Sequence, residues 1–120
     1  MARIVLLGLP DDLAGSLAWV LRDEAHQVRV AFSLQDIRCG NPEVAFVSGD
    51  NPEFSHYLAS LRASDPYLPV VVVTRLPDNS RWLDALEAGA RDYCGAPFEH
   101  AQMRWIMDTV CPRSAQRAAA

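Results

Sequence analysis

The chain has few cysteines, no excess of positive charge and no long hydrophobic run, and each shortage closes off a class of protein. Its three cysteines, Cys39, Cys94 and Cys111, are odd in number, far apart and outside any C-x-x-C pattern. Neither a disulfide framework nor a zinc site is suggested, and a reducing, cytosolic setting fits. The formal net charge of −4 gives no general attraction to phosphate backbones or anionic lipid, which argues against nucleic-acid binding by this chain alone. The apolar start, Ile4 to Leu9, is far shorter than a membrane span and runs straight into Pro10-Asp11-Asp12 without a small-residue cleavage pattern. Neither export nor membrane insertion is therefore expected. The segment GLPDDLAG lacks the second glycine of a G-x-G-x-x-G dinucleotide fingerprint, so no cofactor is expected from it. His26, His56 and His100 share no metal or triad pattern, and no metal and no catalysis are expected.

What is present is an ordinary globular balance, 50% hydrophobic and 22% charged over 120 residues, enough for one domain with its own core. Residues 1–112 read as that domain and 113–120 as a flexible tail or the start of a linker. Strand and helix patterns alternate along it. Ile4 to Leu7 is a continuous apolar run, and Leu13, Leu17, Val20 and Leu21 follow at helical spacing, after Asp11 and Asp12, either of which could cap that helix. QVRVA is a second strand, and Ser33 to Cys39 a helix of about two turns. Val44 to Val47 is a third strand, bracketed by Asn-Pro on both sides, and Phe54, Tyr57, Leu58 and Leu61 mark the next helix.

The segment LPVVVVT is β-branched without alternation, as expected of a central parallel strand covered on both faces. Trp82, Leu83, Leu86 and Gly89 place a further helix, Asp92 to Cys94 a fifth strand, and Met103, Ile106, Met107 and Val110 the last helix. Five βα units in this length point to an α/β fold: a flavodoxin-like, doubly wound, five-stranded parallel sheet of order 2-1-3-4-5 with helices on both faces. In that order the carboxyl ends of the first, third and fourth strands line one crevice. The residues placed there are Gly8 to Asp12, Ser48 to Asp50, and Thr74 with Arg75.

These residues also carry a resemblance. The stretch ALEAGARDYCGAPF, Ala85 to Phe98, is similar to the segment of response-regulator receiver domains that runs through Gly-Ala and Asp-Tyr to Lys-Pro-Phe. LPVVVVT, ending in Thr74, and PEVAFVSGDNP resemble two further family strands, and the likeness covers nearly the whole chain. It implies a two-component signalling domain. Receivers accept a phosphoryl group from a histidine kinase onto an aspartate. An acidic pair after the first strand holds Mg²⁺, and a Thr or Ser and a Lys grip the phosphoryl oxygens. The carboxylate is the nucleophile, the metal offsets the charge of phosphate meeting carboxylate, and the hydroxyl and ammonium stabilise the oxygens.

Mapped onto that pattern, this chain departs at nearly every reactive position. Ser48 stands at the phosphoacceptor, Gly8 and Leu9 at the acidic pair and Ala96 at the lysine; only Thr74 is kept. A serine hydroxyl with no base beside it is a poor nucleophile. The leading expectation is a pseudo-receiver, a signalling domain that works by protein contact or as a homodimer, independent of phosphorylation. Two alternatives stand beside it. One is a phosphoacceptor using a displaced aspartate, Asp50 or Asp11, with Mg²⁺; the other is a small flavodoxin-like ligand binder.

Four further expectations come from position. Asp50 and Arg75 both reach the crevice and could pair to fill it, or could be two solvated loop charges. The Ala96-Pro97 bond matches the family's Lys-Pro and is a candidate for a cis bond. Tyr93 matches the family aromatic that moves between exposed and buried positions on activation. Trp82, Tyr93 and Ile106 are the interface candidates, on a face made by the fourth helix, fifth strand and fifth helix.

Overall fold

The computed structural model describes residues 2–37, 41–50, 54–75 and 79–111, with residues 54, 55 and 79–82 described at the backbone only. Cys39 and the tail expected at 113–120 lie outside the described residues. The elements run β1 (Arg3–Leu7), α1 (Asp11–Asp23), β2 (Gln27–Ala31), α2 (Leu34–Ile37) and β3 (Val44–Ser48). They continue as α3 (Phe54–Ser64), β4 (Val70–Thr74), α4 (Asn79–Glu87), β5 (Asp92–Gly95) and α5 (His100–Val110). All strand pairs are parallel and the order is β2-β1-β3-β4-β5. This is the flavodoxin-like arrangement, with the direction of winding reversing between β1 and β3.

The strand sequences explain the layering. Every residue of β3 and β4 is buried, which a strand can tolerate only if both its faces are covered by helices. Successive side chains point to opposite faces, so each strand feeds two cores. Ile4, Leu6, Phe46, Val71 and Val73 pack with Leu17, Leu21, Met103 and Ile106 under α1 and α5. Val5, Leu7, Val47, Val70 and Val72 pack with Ile37, Leu58, Leu61 and Ala85 under α2, α3 and α4. Cys94 belongs to the first core, and its burial pushes the thiol up to about 12, so it is a packing residue rather than a nucleophile.

Helix α1 buries Leu13, Leu17, Val20 and Leu21, as their spacing requires. Its N-cap is Pro10, and Asp11 and Asp12 sit inside the first turn without a side-chain cap bond. They therefore do not cap the helix but place negative charge at the positive end of its dipole. Helix α2 is described over Leu34–Ile37, inside the helix expected from Ser33 to Cys39, whose last two residues lie outside the described residues. Its turn is tied by Ser33 Oγ, which accepts from the Asp36 amide at 3.2 Å, and by Asp36, which accepts from the Arg29 guanidinium at 3.1 Å. Among the described residues, no helix is long and apolar enough to cross a membrane.

Candidate functional site

Strand β1 delivers Gly8 and Leu9 at its carboxyl end. Gly8 has φ +74, a left-handed conformation that a residue with a Cβ adopts at a cost. Leu9 is partly buried and packs against the α1/α5 core. The two positions matched to the acidic pair are thus a backbone turn and a core contact. Neither side chain can offer oxygen to a cation.

Strand β3 ends in Ser48, which is 2% exposed. Its Oγ accepts a hydrogen bond from the Asp50 amide at 3.3 Å, the local turn that short hydroxyl side chains make two residues on. Gly49 lies between them, its amide donating to the Val73 carbonyl at 2.7 Å. A Cβ at Gly49 would stand 2.5 Å from Val72 Cγ1, so the turn hugs β4 more closely than a side chain permits. This close turn aims Asp50 at the end of β4. Thr74, fully buried, donates its hydroxyl to Asp50 Oδ1 at 2.5 Å, and the Arg75 amide donates to Asp50 Oδ2 at 2.8 Å.

The guanidinium of Arg75 turns the other way. It makes a two-pronged pair with Asp12, both contacts at 2.6 Å, across 63 positions of sequence. The hydrogen bond to Arg75 holds the Asp12 carboxyl below the usual carboxylate range, and Asp12 in turn raises the pKa of Arg75. The pair is exposed, so its weight is in geometry rather than in stability. Of the two alternatives for Asp50 and Arg75, the contact is present, made through the Arg75 amide rather than its guanidinium. Asp50 takes the backbone of Arg75, while the charged head goes to Asp12, which the chain order had not marked as its partner.

Ala96, at the lysine position, donates its amide to the Thr74 carbonyl at 3.1 Å, and the Ala96-Pro97 bond is cis. Its methyl group cannot reach across the crevice. A cavity of about 750 Å³ opens there instead, lined by Asp12, Trp19, Arg75, Ala96, Pro97 and Phe98 among others. Gly8, Ser48, Thr74 and Ala96 therefore sit at strand ends around one crevice, with Asp12, Asp50 and Arg75 bonded across it. The histidines are scattered: His26 accepts from the Ala2 amide at 3.1 Å, His56 lies beside Tyr57, and His100 meets Asp23 at 2.7 Å. Among the described residues, no group of three or more His, Cys, Asp or Glu side chains is placed to hold a metal ion.

The interface candidates divide. Ile106 is 2% exposed, packed in the α1/α5 core, so it is corrected from a surface to a core residue; its stripe with Met103, Met107 and Val110 faces the sheet. Tyr93 is half-buried against the opposite core. Its hydroxyl is shielded from solvent, with no hydrogen-bond partner among the described residues. Trp82 lies on α4, but its side chain falls outside the described residues. Sequence reasoning missed Leu83 as a surface residue, 51% exposed, and missed Trp19 and Trp105, each 64% exposed. The signal was available: both tryptophans stand off the apolar stripes of their helices.

No protein-family model matches the chain, and no curated protein is significantly similar to it. Solved structures do match. The chain superposes on NtrX from Brucella abortus in complex with ADP with a TM-score of 0.82 at 22% identity, over 98% of this chain and 28% of that one. It spans, then, less than a third of NtrX. A response regulator receiver domain protein from Clostridium thermocellum matches with a TM-score of 0.78 at 16% identity, over 97% and 98% of the two chains. A putative response regulator from Chloroflexus aurantiacus matches with a TM-score of 0.80 at 26% identity, over 91% and 96%. The fold is that of response-regulator receiver domains.

Proposed function

We propose that the chain is a receiver-like signalling domain that acts by protein contact, without aspartyl phosphorylation and without catalysis of its own. The observation that carries this reading is the end of β3. The residue delivered to the crevice is a buried serine whose oxygen is engaged by the Asp50 amide, with no base bonded to it among the described residues. The surrounding charges support it. Asp12 is matched by Arg75, and both oxygens of Asp50 already accept bonds from Thr74 and Arg75. The chain contains no lysine at all, so no ammonium side chain from elsewhere in it could replace the one missing at Ala96.

The test is a pair of heteronuclear NMR spectra of the free protein, without and with Mg²⁺ plus beryllofluoride. Unchanged spectra are expected. Saturable shifts around Asp50 and Thr74 would mean that the crevice still reads a phosphoryl group through a displaced aspartate, and the reading would fall.

Output is proposed to run through the face formed by α4, β5 and α5, to a protein partner or a second copy. His100 and Arg104 hold α5 to Asp23 and Glu24 at the end of α1. Trp105, one residue beyond Arg104, lies about 100° further round the helix. Leu83 is exposed on α4, and β5 is the edge strand of the sheet on that side. Exposed Trp is the residue type most often found to dominate a protein interface. Trp105→Ala combined with Leu83→Ala is expected to weaken self-association, or binding of a partner once identified, by about tenfold or more. Sedimentation of the wild type and the variant over a concentration series checks the dimer arm. An unchanged dimer constant would move the interface elsewhere.

A further inference from the structure

Two backbone turns and one side chain converge at the carboxyl end of β4. The Thr74 hydroxyl and the Arg75 amide point at a single anionic group, and that group is supplied by the chain itself, from Asp50 on the neighbouring turn. Thr74 is fully buried, so its hydroxyl is shielded from water and is held by the groups around it. Asp50 reaches it because Ser48 pins the Asp50 amide and Gly49 allows the turn to lie against β4. The Arg75 charge lies close enough to interact with Asp50 while its head is held on Asp12.

We propose that this crevice is an oxyanion-binding site occupied in cis, with the Asp50 carboxylate as its permanent ligand and Thr74 and the Arg75 amide as its donors. The inference rests on the phosphorylation-independent reading above and deepens it, by naming what sits in the crevice in place of an external anion. A hydroxyl and an amide aimed at one point bind the oxygens of a carboxylate or a phosphate alike. Because the ligand is tethered, its effective concentration at the donors is far above that of any free small anion. The end of β4 is thereby held in one arrangement, and a free oxyanion is excluded. Removing the carboxylate should therefore convert a closed crevice into an open receptor for small oxyanions.

The experiment compares the full chain with Asp50→Ala and with Thr74→Val, following the backbone amides of positions 74 and 75 by NMR and hydrogen exchange. Sodium acetate and inorganic phosphate are titrated in separately at constant ionic strength. In the wild type the Arg75 amide is protected and neither anion shifts it. In Asp50→Ala that protection falls by about tenfold or more, and acetate, phosphate or both restore it saturably. In Thr74→Val, which keeps the tethered carboxylate, neither anion binds. If the alanine variant does not fold, Asp50→Gly, which also removes both acceptor oxygens, is read in the same way.

Two results would overturn the proposal. One is an Asp50 variant whose Arg75 amide stays as protected as in the wild type, or that responds to neither anion. The other is a wild type that already binds acetate or phosphate at this point. The outcome is separable from that of the underlying reading. Silence of the wild type toward beryllofluoride together with silence of the Asp50 variant toward both anions sinks this inference alone. A wild-type response to beryllofluoride sinks the reading beneath it.

Discussion

Phe46→Ala lowers the free energy of unfolding by about 3–5 kcal/mol, the range measured for removing a fully buried aromatic ring. Phe46 is 0% exposed and sits at the middle of β3, which pairs with β1 on one side and β4 on the other. Its ring belongs to the core that also takes Leu17 and Leu21 from α1 and Met103 and Ile106 from α5. Two helices and three strands therefore line the void that alanine would leave, and they cannot all close on it without breaking sheet register. A domain of this size has a total stability of about 5–15 kcal/mol, so the variant is expected to be marginal at room temperature. Urea unfolding followed by circular dichroism checks it, with the midpoint falling and the slope unchanged. A loss below about 1 kcal/mol would mean that the core does not close around this ring.

Gly49→Ala is the second large effect and the one tied to the site. The backbone here is not left-handed, so the demand for glycine is steric. The new methyl would lie 2.5 Å from Val72 Cγ1, and Val72 is 1% exposed on a central strand, so it has no room to retreat. Overpacking of this kind costs about 1–3 kcal/mol. The same displacement pushes the turn off β4 and draws Asp50 away from Thr74 and the Arg75 amide. A loss of stability is therefore expected together with loss of protection at the Arg75 amide. A matched loss at Gly15→Ala is not expected, because a Cβ there meets nothing within 4 Å. If Gly49→Ala proves as stable as wild type, the close approach of this turn to β4 is wrong, and with it the positioning of Asp50.

Much of the fold was legible because it is written in periodicity, which is local. Four consecutive valines without alternation demand cover on both faces, and β4 has it. The stripe Leu13, Leu17, Val20, Leu21 demands one buried helix face, and α1 has it. The residues at the strand ends were legible for a related reason: once the strands are placed in register, Gly8, Leu9, Ser48 and Ala96 fall there whatever their side chains do. Ile106 belongs to the stripe Met103, Ile106, Met107 and Val110 that marks α5, so the periodicity that placed the helix already opposed its choice as a surface residue. Trp105, off that stripe on the same helix, was overlooked.

The sequence by itself therefore determined the layers, the parallel sheet and the identity of the residues at each strand end. The tertiary structure alone decided which of those residues bond to one another. Asp50 stands 24 positions from Thr74, and Asp12 stands 63 from Arg75. Hydrogen bonds require heavy atoms within about 3 Å and tolerable angles, and no repeat in the chain encodes a distance of that kind. Strand order brings the ends of β1, β3 and β4 side by side, and the tight turn at Gly49 then hands the Arg75 amide to Asp50 and leaves its guanidinium for Asp12.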